Sequence, residues 1–196
     1  MSIIKVDTIK DETGANTLVT QSGSNFAWGA GVPAGTMVYL KNVTKTGTSG
    51  AVYRPTAFYP VATSDFASKT IYMSITSSEH SPYTKLLINV SCNFRIDKNT
   101  HTVIDVKLIR WEGTGNVSSD TALLQRMLGS ASTNTDEEVY LDFSGGVVDD
   151  ISSLGDVQIN YIIQYRVHSE NSANADNIYF GSATYDKQHI NAFGII

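Results

Sequence analysis

The sequence has few of the residues that mark disulfide-stabilised or nucleic-acid-binding proteins. It contains one cysteine, Cys92, in 196 residues, so it holds no disulfide framework. Cys92 lies on the apolar face of a predicted strand, which favours a buried thiol over a reactive one. Charged residues make up only 17% of the chain, the net charge is −5, and the lysines and arginines are scattered. Because a nucleic-acid groove needs a basic stripe, the sequence predicts no nucleic-acid partner.

Long hydrophobic runs and targeting signals are also missing. No apolar stretch approaches the roughly 18 residues that a transmembrane helix requires, so membrane insertion is not expected. The opening residues 1–5 are not followed by the apolar segment of a signal peptide. We therefore expect synthesis in a cytoplasm without a cleaved signal.

The chain lacks the catalytic motifs that carry a recognisable spacing. It has no nucleophile elbow, P-loop, zinc-protease motif or dinucleotide-binding fingerprint, and its acidic clusters are neighbours in loops. The histidines fall in predicted loops or at strand ends, without the paired spacing of a zinc site: His80, His101, His168 and His189. The sequence therefore predicts a protein that is not an enzyme, with no catalytic residue, metal site or cofactor.

The residues that are abundant indicate strands and loops. Serine, threonine and asparagine supply 54 of the 196 residues, and helix-forming glutamate and lysine are scarce. Hydrophobic residues at 41% and aromatic residues at 10% exclude disorder over most of the chain. The length suits one domain with a short extension.

Two alternating runs in the middle of the chain give the clearest secondary-structure signal. The first run places six apolar residues on one face: Leu86, Ile88, Val90, Cys92, Phe94 and Ile96. Four turn-forming residues follow at 97–100, and the alternation then resumes on the face of Thr102, Ile104, Val106 and Leu108. This pattern predicts a long antiparallel hairpin with one face in a core.

A second long alternating run covers residues 157–167. One face is apolar or aromatic throughout, and the other is polar except for Ile162. Further short runs, including 138–143, bring the body to about eight strands, while residues 121–128 fit either a short helix or an irregular strand. The predicted fold class is all-β: an antiparallel β-sandwich of jelly-roll type with a short N-terminal β arm.

The first residues of the chain are predicted to form an arm that docks on a partner. Ile3, Ile4, Val6 and Ile9 are apolar, yet they lie on a segment too small to fold alone, so their order should come from another surface. A glycine- and serine-rich linker follows. We place the arm and linker at residues 1–28 and the jelly-roll body at residues 29–196.

The opening segment Ser2–Ile9, with Asp11 and Gly14, resembles the N-terminal segment of many tailed-phage virion proteins, especially fibre-like and capsid-associated proteins. The resemblance covers about twenty residues. It implies a phage structural protein located in the virion, with capsid or tail proteins as partners and a role in capsid decoration or, as part of a tail fibre, in host attachment.

The closing half of the chain is similar to the C1q/TNF-like jelly roll. The similarity rests on Leu154–Val157 before a long strand and on the ending Asn191–Ile196, although no collagen-like stalk precedes the body. It implies a homotrimer packed around an aromatic and aliphatic axis. We therefore expect a three-fold interface near Tyr161, Ile162, Tyr165 and Phe193. Ordinary core packing of the two tyrosines is the alternative.

The favoured function is thus a non-enzymatic, trimeric virion head used for adhesion to a host-surface glycan or for capsid decoration. A monomeric carbohydrate-binding β-sandwich is the alternative. In that case exposed aromatic rings would stack on sugars, and the candidates for ligand contact are Trp111, Tyr179 and Tyr185. An enzyme on a jelly roll is the least favoured reading, since no acid–base or metal constellation is present.

Overall fold

The computed structural model describes eleven stretches of the chain, and all structural statements below concern these residues: 8–10, 17–22, 25–28, 32–49, 52–53, 55–97, 103–117, 120–129, 138–169, 177–181 and 187–196. The described residues are mostly β-strand, which confirms the predicted all-β class. The strands are β1 (Thr8–Lys10), β2 (Thr17–Ser22), β3 (Asn25–Trp28), β4 (Met37–Thr46), β5 (Val52–Tyr53), β6 (Tyr72–Ile75), β7 (Lys85–Asp97), β8 (Val103–Glu112), β9 (Thr121–Gly129), β10 (Val139–Asp150), β11 (Ile159–Ser169), β12 (Asn177–Phe180) and β13 (Lys187–Ile195).

Two antiparallel sheets form the body. In the first sheet β4 pairs with β13 and β13 with β7, and β7 pairs along its other edge with β10; the short strands β12 and β5 extend this sheet beside the second half of β7. The second sheet has the order β6-β11-β8-β9. Without β5 and β12, the eight body strands run first–eighth–third–sixth in one sheet and second–seventh–fourth–fifth in the other. This order is the jelly-roll arrangement that the sequence predicted.

The core lies between the two sheets and is built from the alternating faces. All six residues of the predicted inner face of β7 are buried, as are Ile104, Val106 and Leu108 of β8. Aromatic rings link the sheets, with the Phe94 and Tyr165 centroids 5.2 Å apart. Cys92 belongs to this core, which confirms the buried thiol, and burial raises the pKa of its thiol well above the ordinary value.

The edges of the two sheets approach each other on both sides of the sandwich, where β9 lies against β10 and β4 against β6. At the first of these seams Gly145 permits the close approach. A β-carbon at this position would stand 2.8 Å from Cδ2 of Leu124 on β9. A side chain there would therefore push the sheets apart.

The predicted hairpin between residues 86 and 111 is wrong in its pairing, although both strands exist. No hydrogen-bonded ladder joins β7 and β8; β7 pairs with β10, β12 and β13, and β8 pairs with β9 and β11. The chain between them crosses from one sheet to the other instead of folding back within one. In a sandwich this crossing also keeps both apolar faces on the shared core, so the alternation pattern is the same in either case.

The described body also contains two short helices that the sequence analysis did not predict: α1 (Thr63–Lys69) and α2 (Ser77–His80). Helix α1 carries Phe66 onto the outer face of the second sheet, where Phe66 is buried. Helix α2 begins with a capping box, in which the Thr76 backbone N–H donates to Oε2 of Glu79 at 2.6 Å. Residues 121–128, open between helix and strand from the sequence, lie in β9.

Strands β1, β2 and β3 form a three-stranded antiparallel sheet of their own and make no ladder with the described body strands. This sheet coincides with the segment predicted to be an arm. The division of the chain at residue 28 stays a prediction.

Candidate interaction surfaces

The outer face of the first sheet is a four-stranded surface that no other described element covers. Its side chains come from the positions of β4, β13, β7 and β10 that alternate with the core positions. The ladder register lines these side chains up in rows that cross all four strands. The side chains of this face therefore form rows that differ in chemistry.

One row is apolar across the whole width of the sheet. Tyr39 stands beside Phe193, Phe193 beside Leu87, and Leu87 beside Val148. Tyr39 is 61% and Val148 53% exposed, and the other two are partly exposed. The Tyr39 and Phe193 rings pack edge to face with centroids 5.9 Å apart. We call these four residues the apolar band.

On the side of the apolar band that leads toward the second half of β7, two successive rows are polar and contain no lysine, arginine, aspartate or glutamate. The first contains Asn42, Asn191 and Asn89, with Gly146 at its end; the side-chain amide of Asn42 donates to that of Asn191. The second consists of Thr44, His189, Ser91 and Ser144. The centre of this face therefore carries no lysine, arginine, aspartate or glutamate among its described side chains.

Charged side chains frame this neutral centre. Three positive and three negative described residues lie toward the two ends of the face: Lys85, Arg95, Lys187, Glu138, Asp142 and Asp150. Their charges sum to zero, whereas the chain as a whole carries −5. An apolar patch with a charge-depleted centre and a polar rim is the anatomy of a protein–protein interface.

The outer face of the second sheet is covered in part by its own chain. Phe66 of α1 packs on Trp111, Ile109 and Ile162, and the four form a second small core. The Phe66 and Trp111 ring centroids are 5.3 Å apart. Beside this cluster a pocket of about 170 Å³ opens between α1, the sheet and the loop that begins at Gly113.

A buried polar network joins the two sheets at one end of the sandwich. Arg110 on β8 donates from Nη1 to Oδ1 of Asp149 on β10 at 2.6 Å. Tyr161 on β11 donates its hydroxyl to Oδ2 of the same carboxylate at 2.8 Å. Burial raises the pKa of Asp149 above its ordinary value, although the Tyr161 hydroxyl and the Arg110 guanidinium both lower it. The pKa of the Tyr161 hydroxyl is raised by burial and by the adjacent carboxylate.

The residues predicted for a three-fold interface lie in two different environments. Tyr161, Tyr165 and Ile162 are 0% exposed within a single chain, so they have no surface left for another subunit. The two tyrosines are inner-face core residues, and Ile162 is covered by Phe66. The prediction that these three residues lie in a subunit interface is therefore wrong, and they belong to the interior of a single chain. Phe193 is partly exposed within the apolar band and remains a candidate for subunit contact.

The predicted ligand-contact aromatics are also less accessible than the sequence suggested. Trp111 is only 4% exposed, so its ring cannot serve as an open stacking platform. Tyr179 lies on the outer face of the first sheet, where the Arg95 guanidinium sits 4.1 Å from its ring centroid. Tyr185 falls outside the described residues.

The predicted docking residues of the arm are only partly within the described chain. Ile3, Ile4 and Val6 fall outside the described residues. Ile9 lies in β1, where it pairs with Val19 of β2. Their docking role stays a prediction.

Sequence reasoning missed three of the four residues of the apolar band. The sequence did carry a signal for Leu87. It is the single apolar residue on the outer face of β7, which is otherwise polar through Asn89 and Ser91. Tyr39 and Val148 gave no comparable signal in the sequence. Their exposure follows from the side of the sheet on which the core lies, and their own strands do not show that side by alternation.

The described residues contain neither a cluster of metal ligands nor a helix that could span a membrane. Among them, no three histidine, cysteine, aspartate or glutamate side chains come together as metal ligands would. No helix in this part of the chain has the length and apolar character needed to cross a membrane.

Comparison with known proteins gives loose structural likenesses. No family model matches the chain, and no curated protein matches it. A CocE/NonD family hydrolase from Staphylococcus aureus aligns with 86% of this chain and 39% of its own, at 9% identity and a TM-score of 0.34. Eiger TNF from S. frugiperda aligns over 76% of this chain and 94% of its own, at 11% identity and a TM-score of 0.31.

The VP2 subviral particle of infectious bursal disease virus aligns over 92% of this chain and 51% of its own, at 9% identity and a TM-score of 0.34. A TNF-like protein and a viral capsid protein are thus among the structures that this β-sandwich distantly resembles. The alignments are too loose to transfer a function from any of the three proteins.

Proposed function

We propose that the protein is a non-enzymatic structural protein of a phage virion. Its jelly-roll body forms a homotrimeric head, and its N-terminal arm attaches the head to capsid or tail proteins. The observation that carries this proposal is the apolar band across an uncovered sheet face. Its large apolar side chains stay in contact with water in a single chain, and burial against another copy removes them from it.

The composition of this face favours a second copy of the same chain as the partner. A partner of strong opposite charge has nothing to bind on a face whose described charges sum to zero. Two copies of the chain, each at −5, repel one another least where the contacting surface is itself neutral. The charged residues of both signs at the ends of the face also allow each copy to pair with its neighbour.

The dimensions of the face fit a specific interface. Four strands about 4.8 Å apart, each about nine residues long at about 3.3 Å per residue, give a face of roughly 20 by 30 Å. A standard interface buries about 800 Å² on each partner. The number of three subunits follows from the similarity to C1q/TNF-like jelly rolls.

The separate sheet of β1, β2 and β3 supports the attachment role of the arm. It makes no ladder with the described body strands, so it is available as an independent docking unit. Deletion of residues 1–28 should leave the melting transition of the body nearly unchanged and abolish its attachment to the parent particle. Normal attachment of the shortened protein would refute the docking role.

Native mass measured by light scattering after size exclusion tests the trimer. A trimer has a mass of about 64 kDa, three times the 21.3 kDa of the chain. Val148→Lys places a charge in the apolar band at a position that is 53% exposed, so a single chain should tolerate it and the assembly should dissociate. Met127→Lys is the matched control, because Met127 is 63% exposed on β9, away from this face.

Two results would contradict the proposed assembly. The first is a wild-type protein of 21 kDa at micromolar concentration, which would favour the alternative of a monomeric carbohydrate-binding sandwich. The second is a Val148→Lys protein that remains a trimer, because the interface would then lie elsewhere on the body.

A further inference from the structure

We infer that the pocket beside Trp111 is a binding site for a single neutral saccharide ring. The pocket lies on the second sheet, on the opposite side of the sandwich from the apolar band, so in the proposed trimer it faces outward. The inference goes beyond the proposed structural role, because it names a ligand class and a site for the host-surface adhesion that the sequence led us to expect. Its first test does not depend on the trimer.

The lining of the pocket contains no charged side chain among its described residues. It consists of aromatic rings, amides, hydroxyls and glycine backbone, and the residues that matter most are Phe66, Tyr72, Trp111, Ser74, Gln158 and Asn160. Charged side chains form the strongest contacts with phosphates, carboxylates and metal ions, and this lining offers none, so it favours a neutral ligand. A sugar ring presents C–H groups on its faces and hydroxyl groups at its edge, which match aromatic and amide groups respectively.

The polar side of the pocket is held in place by hydrogen bonds. Asn160 is only 2% exposed, and its Oδ1 accepts from the Ser74 hydroxyl at 2.6 Å and from Nε2 of Gln158 at 2.8 Å. Its Nδ2 donates to the carbonyl oxygen of Gly113 at 2.7 Å. The amide groups are therefore fixed before any ligand arrives, which reduces the ordering cost of binding.

The aromatic side of the pocket has one accessible ring and one unpaired donor. Tyr72 is 39% exposed and leans on Phe66, with ring centroids 5.4 Å apart. The indole N–H of Trp111 is buried and has no acceptor among the described residues. A ligand hydroxyl that reached this N–H would supply an acceptor that the described residues do not provide.

The size of the pocket sets the size of the ligand. Its volume is about 170 Å³, below the roughly 300–1,000 Å³ of sites that enclose drug-sized molecules. The rim residues Gly113 and Gly115 have φ values of +81° and +108°, and a β-carbon on either would meet open space. The rim is therefore open at these two glycines, and a pocket of this volume admits one ring with the rest of a glycan outside.

Titration of the ¹⁵N-labelled full-length protein with free sugars tests the site directly. The probes are D-glucose, D-galactose, D-mannose and N-acetyl-D-glucosamine, and the signal is the indole N–H resonance of Trp111. The chain has two tryptophans, so the variant Trp28→Phe assigns that resonance. We expect at least one of these sugars to shift it in a saturable manner. An array of immobilised neutral and acidic oligosaccharides then identifies the preferred glycan.

Substitutions at the pocket should weaken that binding without unfolding the chain. Tyr72→Ala removes the accessible ring and Gln158→Ala removes a fixed amide, and each should weaken the affinity about tenfold. Tyr140→Ala is the matched control, because Tyr140 is 54% exposed on the outer face of the other sheet. Circular dichroism of each variant confirms that the fold is kept.

Three outcomes would overturn the site. The first is that no free sugar shifts the Trp111 resonance and no neutral glycan on the array binds; the second is that only acidic glycans bind; the third is that both pocket variants bind as the wild type does. Free monosaccharides bind one pocket at a time, so the titration is independent of oligomeric state. If a Val148→Lys monomer still binds the sugar, the site is independent of the trimer. If the protein is a trimer and binds no sugar, the proposed site is wrong and the proposed assembly is unaffected.

Discussion

The buried network at Asp149 offers a sharp test of how the two sheets are held together. The variant Arg110→Met keeps an unbranched apolar side chain in place of the aliphatic stem on β8 and removes the charge. The Asp149 carboxylate, 4% exposed, would then retain only the Tyr161 hydroxyl as a described side-chain partner. Removing one partner of a buried ion pair costs about 3–5 kcal/mol, because the other charge stays buried without compensation.

The magnitude expected here is near the lower end of that range, about 3 kcal/mol, because the Tyr161 hydroxyl continues to donate to the carboxylate. With a urea m-value of about 2 kcal/mol per molar, the unfolding midpoint should fall by about 1.5 M. Equilibrium urea unfolding of both proteins at equal concentration measures this, since assembly makes stability depend on concentration.

The pH dependence gives this prediction a sign. Burial already raises the pKa of Asp149 in the folded protein, and loss of Arg110 raises it further. The stability contributed by a group with a raised folded pKa is fully present below its unfolded pKa, near 3.9 for aspartate, and is lost as the pH rises through the folded pKa. The stability gap between Arg110→Met and the wild type should therefore be widest near pH 7.5 and narrow toward pH 4.

Two controls separate the buried charge from lost packing. The double variant Arg110→Met/Asp149→Asn leaves no unpaired charge, so it should recover most of the lost stability at neutral pH. Arg126→Met removes an exposed arginine of β9 and should change stability by no more than about 0.5 kcal/mol. A loss below about 1 kcal/mol in Arg110→Met, or a gap that stays constant with pH, would refute the reasoning.

Two further predictions concern packing. Gly194→Ala places a β-carbon 2.3 Å from Cε1 of Tyr83 and should cost about 1–3 kcal/mol in urea unfolding, whereas Gly155→Ala, in open space, should be nearly neutral; equal stability of the two variants would show that Tyr83 moves aside freely. Val90→Asp buries an unpaired carboxylate in the core, so a loss of about 3–5 kcal/mol is expected in thermal or urea unfolding, and cooperative folding at wild-type stability would contradict the assigned inner face of β7.

The inner faces of the long strands could be predicted from the sequence because burial on one side forces a period of two. A slip of one residue would move every apolar side chain of β7 to the outer face, so the alternation through Val90 and Phe94 fixes the orientation. The alternation does not determine which strand pairs with which. The turn-forming residues after β7 indicate that the chain reverses, and a jelly roll uses the same reversal to pass between sheets.

The short helices were missed for different physical reasons. Helix α2 follows a recognisable signal, since Thr76 and Glu79 have the spacing of a capping box. Helix α1 has seven residues and no side-chain hydrogen bond at its N-cap. A helix of that length is marginal by itself, so it depends on Phe66 packing against the sheet, a contact that no local pattern encodes.

An apolar residue on an otherwise polar strand face occurs twice, and it is covered by the same chain in one case and left uncovered in the other. Ile162 and Leu87 each interrupt an otherwise polar face of a long strand. Helix α1 of the same chain covers Ile162, which is 0% exposed, so that interruption serves the monomer. No described element covers Leu87.

The apolar band around Leu87 is visible only after folding. Tyr39, Leu87, Val148 and Phe193 are far apart in sequence, and the ladder register brings them side by side on four strands. No window of sequence could show their alignment, since each belongs to a different local pattern. The first sheet needs only its inner face to form the core, so the core does not require a second apolar row across all four strands. In the proposed trimer, contact with another chain would bury this row, and the test of the trimer is therefore placed at Val148 and not at the buried tyrosines.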